Sequence, residues 1–207
     1  MDSTKQLTAA EQRVLDALQE RGGYIRTGDI LRAGMDHHAL ARLTERGLLE
    51  RVRRGLYRRA DMISGDVAVA DVAASSPHGV ICLLSALSHY ELTTTTPWEV
   101  YLAIPRKAWA PKITYPPVRV VFYSAGMFDY GIRDEPLSSG QTVRMYSPEK
   151  SMADAFHFED YAGRDMALEA LKTYMGRRRE RNIPALLKAA EICKVRSTMQ
   201  QYIEALA

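Results

Sequence analysis

Residues 1–60 are constrained by short apolar stripes that glycines interrupt, followed at once by an arginine-rich hairpin pattern. Thr8 and Glu11 have the spacing of a capping box, in which each side chain bonds the backbone N–H of the other residue. We predict a helix over residues 9–20, which Gly22 and Gly23 end. Its inward stripe recurs at one-turn spacing and consists of Val14, Leu15 and Leu18.

Two further helices are predicted before residue 47. Thr27 is the expected cap of the first, with Ile30 and Leu31 facing inward, and Gly34 ends it. Asp36 is the expected cap of the second. Two helices joined by a tight glycine turn predict a helix-turn-helix, whose second helix enters the major groove of DNA. Leu40, Leu43 and Leu48 are assigned to the core, and the groove-facing candidates are His37, His38, Ala41, Arg42 and Glu45.

The segment from Leu48 to Arg59 predicts a β-hairpin around an Arg54-Gly55 turn, which would be the wing of a winged helix. With Val52 inward, the two-residue period of a strand directs Arg51 and Arg53 outward. The hairpin arginines are interpreted as a clamp for DNA phosphates: Arg51, Arg53, Arg54, Arg58 and Arg59.

The distribution of charge supports a polyanionic partner for this segment. Residues 1–60 carry 12 Lys and Arg against 8 Asp and Glu, whereas the rest of the chain carries 16 against 17. A positive excess confined to one segment favours DNA binding there. A winged helix that binds protein remains an alternative, which pairing of the basic hairpin with acids would favour.

The remainder, residues 63–207, predicts a second domain of mixed α/β structure that ends in helices, so the fold class is α+β with a domain boundary near residue 62. Helices are expected between residues 61 and 76, between 78 and 92, from Ser147-Pro148-Glu149 to about Phe158, along an amphipathic stripe at residues 167–175, and at 184–193 and 195–206. Strands are expected at 99–104, 118–123 and 142–146.

Motifs for catalysis are absent from the sequence. It contains no Gly-x-Gly-x-x-Gly, Walker loop, Gly-x-Ser-x-Gly or His-Glu-x-x-His pattern, so we predict neither an enzyme nor a cofactor. The one dense titratable group is interpreted as an ion pair or helix cap and comprises Asp154, His157, Glu159 and Asp160. No metal site is predicted at His37 and His38, because adjacent helical residues point about 100° apart and no third ligand is evident.

Cysteine usage and hydropathy bear on location. Cys82 and Cys193 lie far apart in the sequence and form no metal-ligand motif, which favours a reducing compartment. No N-terminal stretch resembles a signal peptide, and no apolar run approaches the roughly 20 residues needed to cross a bilayer. We therefore predict a cytoplasmic protein with no membrane contact.

Several segments in this order resemble the AbiEi antitoxins, which are transcriptional regulators of type IV toxin-antitoxin, or abortive infection, operons. Arg54-Gly55-Leu56-Tyr57 is similar to the family's wing, which ends in Gly-x-Tyr. The second domain is similar at residues 85–92 and 100–106. Residues 146–154 look like the family's Ser-Pro-Glu-Lys-Thr signature, with Ser151 in place of threonine.

The resemblance implies a repressor that binds inverted repeats in its own promoter and counteracts a toxin resembling a nucleotidyltransferase, without a stable complex between them. It is compatible with a monomer in solution that binds double-stranded DNA cooperatively. The second domain is implied to carry the antitoxin function and a positive surface that supports DNA binding. Candidates for that surface are Arg177, Arg178, Arg179 and Arg181.

One alternative keeps the DNA-binding segment and makes the second domain a small-molecule sensor or an enzyme. A large apolar cavity with a few convergent polar groups in the second domain would favour it, whereas the antitoxin interpretation predicts no such cavity.

Overall fold

The computed structural model describes residues 6–206, so residues 1–5 of the predicted first domain and residue 207 lie outside the described residues. The chain divides into two compact units, one running up to Ser75 together with Pro136–Thr142, the other comprising Ser76–Glu135 and the chain from Val143 onward. The predicted boundary near residue 62 lies inside the first unit. Both helices and sheets are present, and the mixed α+β class is confirmed.

The first unit consists of helices and a small antiparallel sheet with strand order β1-β3-β2. In chain order the elements are α1 (Ala9–Glu20), β1 (Tyr24–Arg26), α2 (Thr27–Arg32), α3 (His38–Glu45), β2 (Leu49–Arg53), β3 (Leu56–Arg59) and α4 (Val67–Ser75).

The capping box at the start of α1 forms as the sequence predicts. The Thr8 hydroxyl accepts the Glu11 N–H at 3.3 Å, and the Glu11 carboxylate accepts the Thr8 N–H at 2.8 Å. Helix α1 then packs its apolar stripe on α2, α3 and the sheet. The shared core contains Val14, Leu18, Ile25, Ile30, Ala39, Leu40, Leu43 and Leu49, with Leu15 and Tyr57 partly buried against it.

Three apolar assignments in this unit are wrong. Leu31 is 56% exposed, because α2 buries only Ile30 along its short length. Leu48 is exposed, since β2 begins one residue later and directs Leu49 into the core. Val52 is only half-buried, because the register of the hairpin shifts between Arg51 and Arg53 and leaves it opposite no single partner.

Helix α4 belongs with the first unit because it supplies acceptors to β1. The Tyr24 hydroxyl donates to Asp71 at 2.6 Å, and the Arg26 guanidinium donates to the Ala74 carbonyl at 2.5 Å. Burial raises the pKa of Asp71, and the Tyr24 hydrogen bond and Arg58 oppose that shift. These contacts explain why the compact unit continues past the predicted boundary.

The second unit is built on a five-stranded mixed sheet of order β6-β5-β4-β8-β7. Its strands are β4 (Val80–Ile81), β5 (Val100–Pro105), β6 (Val118–Tyr123), β7 (Ile132–Pro136) and β8 (Thr142–Tyr146). Its helices are α5 (Leu83–His89), α6 (Ala125–Phe128), α7 (Pro148–His157), α8 (Glu159–Ala162), α9 (Arg164–Gly176), α10 (Ile183–Ile192) and α11 (Arg196–Leu206). The predicted strands at 118–123 and 142–146 are confirmed, whereas β4 and β7 are not predicted by the sequence.

Helix α7 brings a charged pair into the core of this unit. Ser147 caps the helix by accepting the Lys150 N–H at 3.3 Å. Lys150 and Asp154, one helical turn apart, are both fully buried, and their ion pair closes at 2.5 Å. The ammonium also lies 4.2 Å from the ring centroid of Tyr146 and 4.8 Å from that of Tyr123. The titratable group predicted around Asp154 therefore resolves into a buried pair with Lys150, and His157 is exposed.

We expect this buried pair to be essential to the stability of the second unit. Asp154→Ala leaves the Lys150 ammonium buried without a counter-ion and should lower the free energy of unfolding by about 3–5 kcal/mol. Replacing both residues, Lys150→Met with Asp154→Leu, should restore most of that loss because no charge is then buried. Urea denaturation of both variants measures the effect.

The matched control is Lys188→Ala, which breaks an exposed helical pair with Glu191 and should leave the midpoint nearly unchanged. If Asp154→Ala were no more destabilised than this control, the buried pair would have no structural importance.

Candidate nucleic-acid interface

Helix α3 presents one polar, exposed face. Ala39, Leu40 and Leu43 are buried in the core of the first unit, so the opposite side of the helix faces solvent. The exposed residues on that side include His37, His38, Ala41 and Glu45. The turn that leads into α3 depends on Gly34, whose φ of +63° lies in the left-handed region.

Arg42, one of the groove-facing candidates, is held by two carboxylates. Its Nε donates to Glu11 at 3.3 Å and its Nη2 donates to Asp36 at 2.9 Å. A guanidinium reads guanine through two parallel N–H donors, and here the edge formed by Nε and Nη2 is already engaged by acids. These two ion pairs hold the Arg42 side chain between α1 and the residue that precedes α3 by two positions.

Glu11 is the buried centre of this arrangement. Its carboxylate accepts the Thr8 N–H. One carboxylate oxygen also accepts from Arg42, and the other accepts from Arg46 Nη1 at 3.1 Å. The Thr8 backbone hydrogen bond, aided by the two arginines, lowers the pKa of Glu11 below its ordinary value. The carboxylate thus fixes α3 against the start of α1.

Asp36, His37 and His38 place three potential metal-ligand atoms within 4.8 Å of one another, so a third ligand that the sequence did not reveal is present. All three residues are exposed. Both oxygens of Asp36 are engaged, because one accepts the His38 N–H at 2.9 Å and the other accepts Arg42. The Arg42 guanidinium lowers the pKa of Asp36 and also disfavours a cation beside it. The arrangement is that of a helix cap.

The hairpin between β2 and β3 carries exposed cations at its tip. Arg51, Arg53 and Arg54 are exposed, and the turn is made possible by Gly55, whose φ is +76°. Arg53 donates to the Ser75 carbonyl at 3.1 Å. Among residues 6–206, Arg51 and Arg54 have no acidic partner, so their guanidinium groups remain available to a phosphate.

The other two arginines of the hairpin are engaged with acids. Arg58 is mostly buried and pairs with Glu50 and, at 3.4 Å, with Asp71. Arg59 pairs with Asp61, which raises the pKa of the arginine and lowers that of the acid. The predicted clamp is therefore divided, with free charge at the tip and paired charge at the base of the hairpin.

The basic cluster near the end of α9 is divided in the same way. Arg177 donates to the carbonyls of Tyr90 and Glu91 at 3.0 and 2.8 Å, where it caps the end of α5. Arg181 donates to the Met175 carbonyl at 3.0 Å. Arg178 and Arg179 are exposed.

Sequence reasoning missed the residues that hold this surface in place. Glu11 was recognised only as a helix cap, since nothing local shows that Arg42 and Arg46 converge on it. Strand β1 was missed because its three residues are too few for a periodic signal. Its pairing with β3 nevertheless fixes the hairpin, with Ile25 opposite Tyr57.

A module in which an exposed helix precedes a basic hairpin is typical of transcriptional regulators. Residues 12–60 match the family model described as a transcriptional regulator, AbiEi antitoxin, which confirms over these residues the AbiEi resemblance that the sequence predicts.

Other comparisons bear on the whole fold. The crystal structure of the Rv2827c protein from Mycobacterium tuberculosis is similar to this chain with a TM-score of 0.59 at 12% identity, covering 96% of this chain and 82% of that one. At this identity the likeness concerns the fold alone. No curated protein matches the sequence. Within the described residues, no helix combines the length and apolar character needed to cross a lipid bilayer.

We expect Glu11→Gln to change how stability depends on pH. Because the folded state lowers the pKa of Glu11 below the ordinary value of a glutamate, the contribution of Glu11 to stability is full above that ordinary value and is lost as the pH falls through the folded pKa. The variant should melt at a lower temperature at neutral pH. Between about pH 5 and pH 3, the melting temperature of the variant should also fall by less than that of the natural protein.

Glu45→Gln, which removes an exposed acid from α3, is the matched control and should keep the natural pH dependence. Parallel melting curves for Glu11→Gln and the natural protein across this range would contradict the role assigned to Glu11.

Proposed function

We propose that this protein is a DNA-binding transcriptional regulator that represses its own operon and acts as the antitoxin of a type IV toxin-antitoxin system. The observation that carries the proposal is the exposed, acid-free tip of the hairpin at Arg51 and Arg54, in a module that matches the AbiEi regulator family. The order helix, strand, two helices and a hairpin supports a winged helix-turn-helix.

In this proposal α3 and the hairpin contact different parts of the duplex. Helix α3 lies in the major groove, where His37 and His38 reach base edges and Ala41 lies against them. Arg51, Arg53 and Arg54 hold phosphates beside the groove. Arg42 keeps α3 in place through Glu11, and Arg58 stabilises the base of the hairpin.

The operator is double-stranded DNA with an inverted repeat, to which monomers bind cooperatively. The protein acts in the cytoplasm without catalysis or cofactor, and it counteracts a nucleotidyltransferase-like toxin without a stable complex. The second unit carries this activity, and Arg178 and Arg179 add positive surface there.

Removing the free charge at the hairpin tip tests DNA binding. Arg51→Ala with Arg54→Ala should weaken binding to the duplex upstream of the protein's own reading frame and to a scrambled duplex by similar factors, because phosphate contacts carry no sequence information. Each lost contact should flatten the slope of log affinity against log salt by about 0.9, or about two for the pair. Fluorescence anisotropy at several salt concentrations measures both quantities.

Lys172→Ala with Lys188→Ala removes the same net charge from exposed helix positions in the second unit and should leave the slope unchanged. The complementary variant, His37→Ala with His38→Ala, should reduce the preference for the upstream duplex while keeping the slope. An unaltered slope in the Arg51 and Arg54 variant would show that the hairpin does not contact DNA.

Antitoxin activity should survive the loss of DNA binding. We expect the full chain carrying Arg51→Ala and Arg54→Ala to rescue cells that express the toxin from an inducible promoter, because repression is bypassed and the second unit is unchanged. The toxin is the nucleotidyltransferase-like protein expected in the neighbouring reading frame. Colony counts with and without induction measure the rescue.

The natural protein and the Lys172 and Lys188 double variant serve as positive controls and should rescue equally. Failure of the hairpin variant to rescue, at equal protein level, would show that the antitoxin effect operates through DNA.

A further inference from the structure

A cavity of about 360 Å³ opens in the second unit, remote in sequence from the hairpin and α3. Three basic side chains line it, from three separate places in the chain: Arg106 after β5, His157 at the end of α7, and Lys194 after α10. The Ser124 hydroxyl adds a neutral hydrogen-bonding group. The volume lies near the lower end of the range of small-molecule sites, so the second unit does contain a cavity of the kind that favours the small-molecule alternative.

The charge of this cavity is not neutralised by the protein. No acidic residue lines it, and within residues 6–206 none of the Arg106, His157 and Lys194 side chains has a carboxylate partner. This contrasts with Arg42, Arg58 and Arg59 of the first unit, all of which are paired. A concave surface of one charge concentrates ligands of the opposite charge.

Lys194 occupies a backbone position that normally takes glycine. Helix α10 ends in a Schellman motif, with the Val195 N–H donating to the Ala190 carbonyl at 2.9 Å, and Lys194 at its turn has a φ of +60°. A side chain in this left-handed conformation is disfavoured relative to glycine. The chain thus keeps an ammonium at the cavity where the backbone alone would favour glycine, and such outliers point to function.

The remaining walls are apolar and include aromatic rings. Phe122 is 47% exposed, although it lies on β6 beside buried residues, and Phe158 and Met127 complete the surface. The Phe158 ring is fixed by its contact with the Tyr123 ring, whose centroid lies 4.9 Å away. Aromatic faces beside cations are the combination that binds unpaired nucleotides, since the base stacks and the phosphate is neutralised.

The loop that begins at Arg106 extends the same chemistry. Residues 106–117 contain no acidic residue, and they carry Lys107 and Lys112 in exposed positions. Trp109 is 96% exposed and Tyr115 is 75% exposed on this loop. Lys107 and Trp109 follow Arg106 closely in the chain, whereas Tyr115 precedes β6 at the opposite end of the parallel β5-β6 pair, so only the first part of this loop starts from the cavity.

We propose that this cavity binds a nucleotide, with its phosphate among Arg106, His157 and Lys194 and its base against Phe122. The same chemistry is presented by a free nucleotide and by an unpaired nucleotide of a strand. The site is independent of duplex binding by the first unit, so either function can fail without the other.

The test uses the full chain carrying Arg51→Ala and Arg54→Ala, so that the hairpin does not contribute. The probes titrated are AMP, an oligoadenylate RNA about ten nucleotides long and an RNA duplex of equal length.

Lys194→Gly should weaken binding of the single strand, of AMP, or of both by about tenfold or more, the usual effect of losing a charged hydrogen bond. Its melting temperature should not fall, because glycine adopts the left-handed conformation without the steric cost that a lysine has there. Phe122→Ala should also weaken binding.

Lys172→Ala, which removes an exposed lysine from α9, is the matched control and should bind as before. Binding of AMP with the same sensitivity to Lys194→Gly supports the site with a free nucleotide as ligand, and binding of the strand alone supports it with a strand as ligand. The proposal is overturned if neither probe binds, if Lys172→Ala and Lys194→Gly weaken binding equally, or if the duplex binds as tightly as the strand.

Discussion

The organisation of the first unit depends on the buried carboxylate of Glu11. A charged side chain is removed from water only if hydrogen bonds replace its hydration, and here the Thr8 N–H, Arg42 and Arg46 supply them. Two of these donors lie on or directly after α3, so satisfying the acid also fixes the helix. The exposed face with His37 and His38 is thereby held in a defined orientation relative to α1.

The arginines considered above divide into those that have acidic or carbonyl partners in the protein and those that have none among the described residues. Arg42, Arg58 and Arg59 have acidic partners, and Arg177 and Arg181 satisfy carbonyls at helix ends. Arg51 and Arg54 at the hairpin tip have no such partner among the described residues, and neither does Arg106 beside the cavity. Net charge therefore overstates the surface available to nucleic acid, and pairing decides which arginines contribute.

Much of the local structure could be predicted because its causes lie within a few residues of one another. The boundaries of α1 follow from Thr8, Glu11 and the glycine pair, and Ser147-Pro148 starts α7. Prediction fails where a segment is short or irregular. Strand β1 has three residues, α2 buries a single apolar side chain, and the register shift at Val52 breaks the alternation on which the hairpin assignment relied.

The sequence by itself determined the caps of α1 and α7, the apolar stripe of α1, the positive excess of residues 1–60 and the spacing that lets Lys150 meet Asp154 one turn later. Only the tertiary structure decided that Arg42 faces Glu11, that Arg58 reaches Asp71, and that Arg106, His157 and Lys194 surround one cavity. The reason is physical. Caps and stripes depend on neighbours within a turn of the chain, whereas an ion pair or a pocket depends on how elements distant in sequence pack against each other.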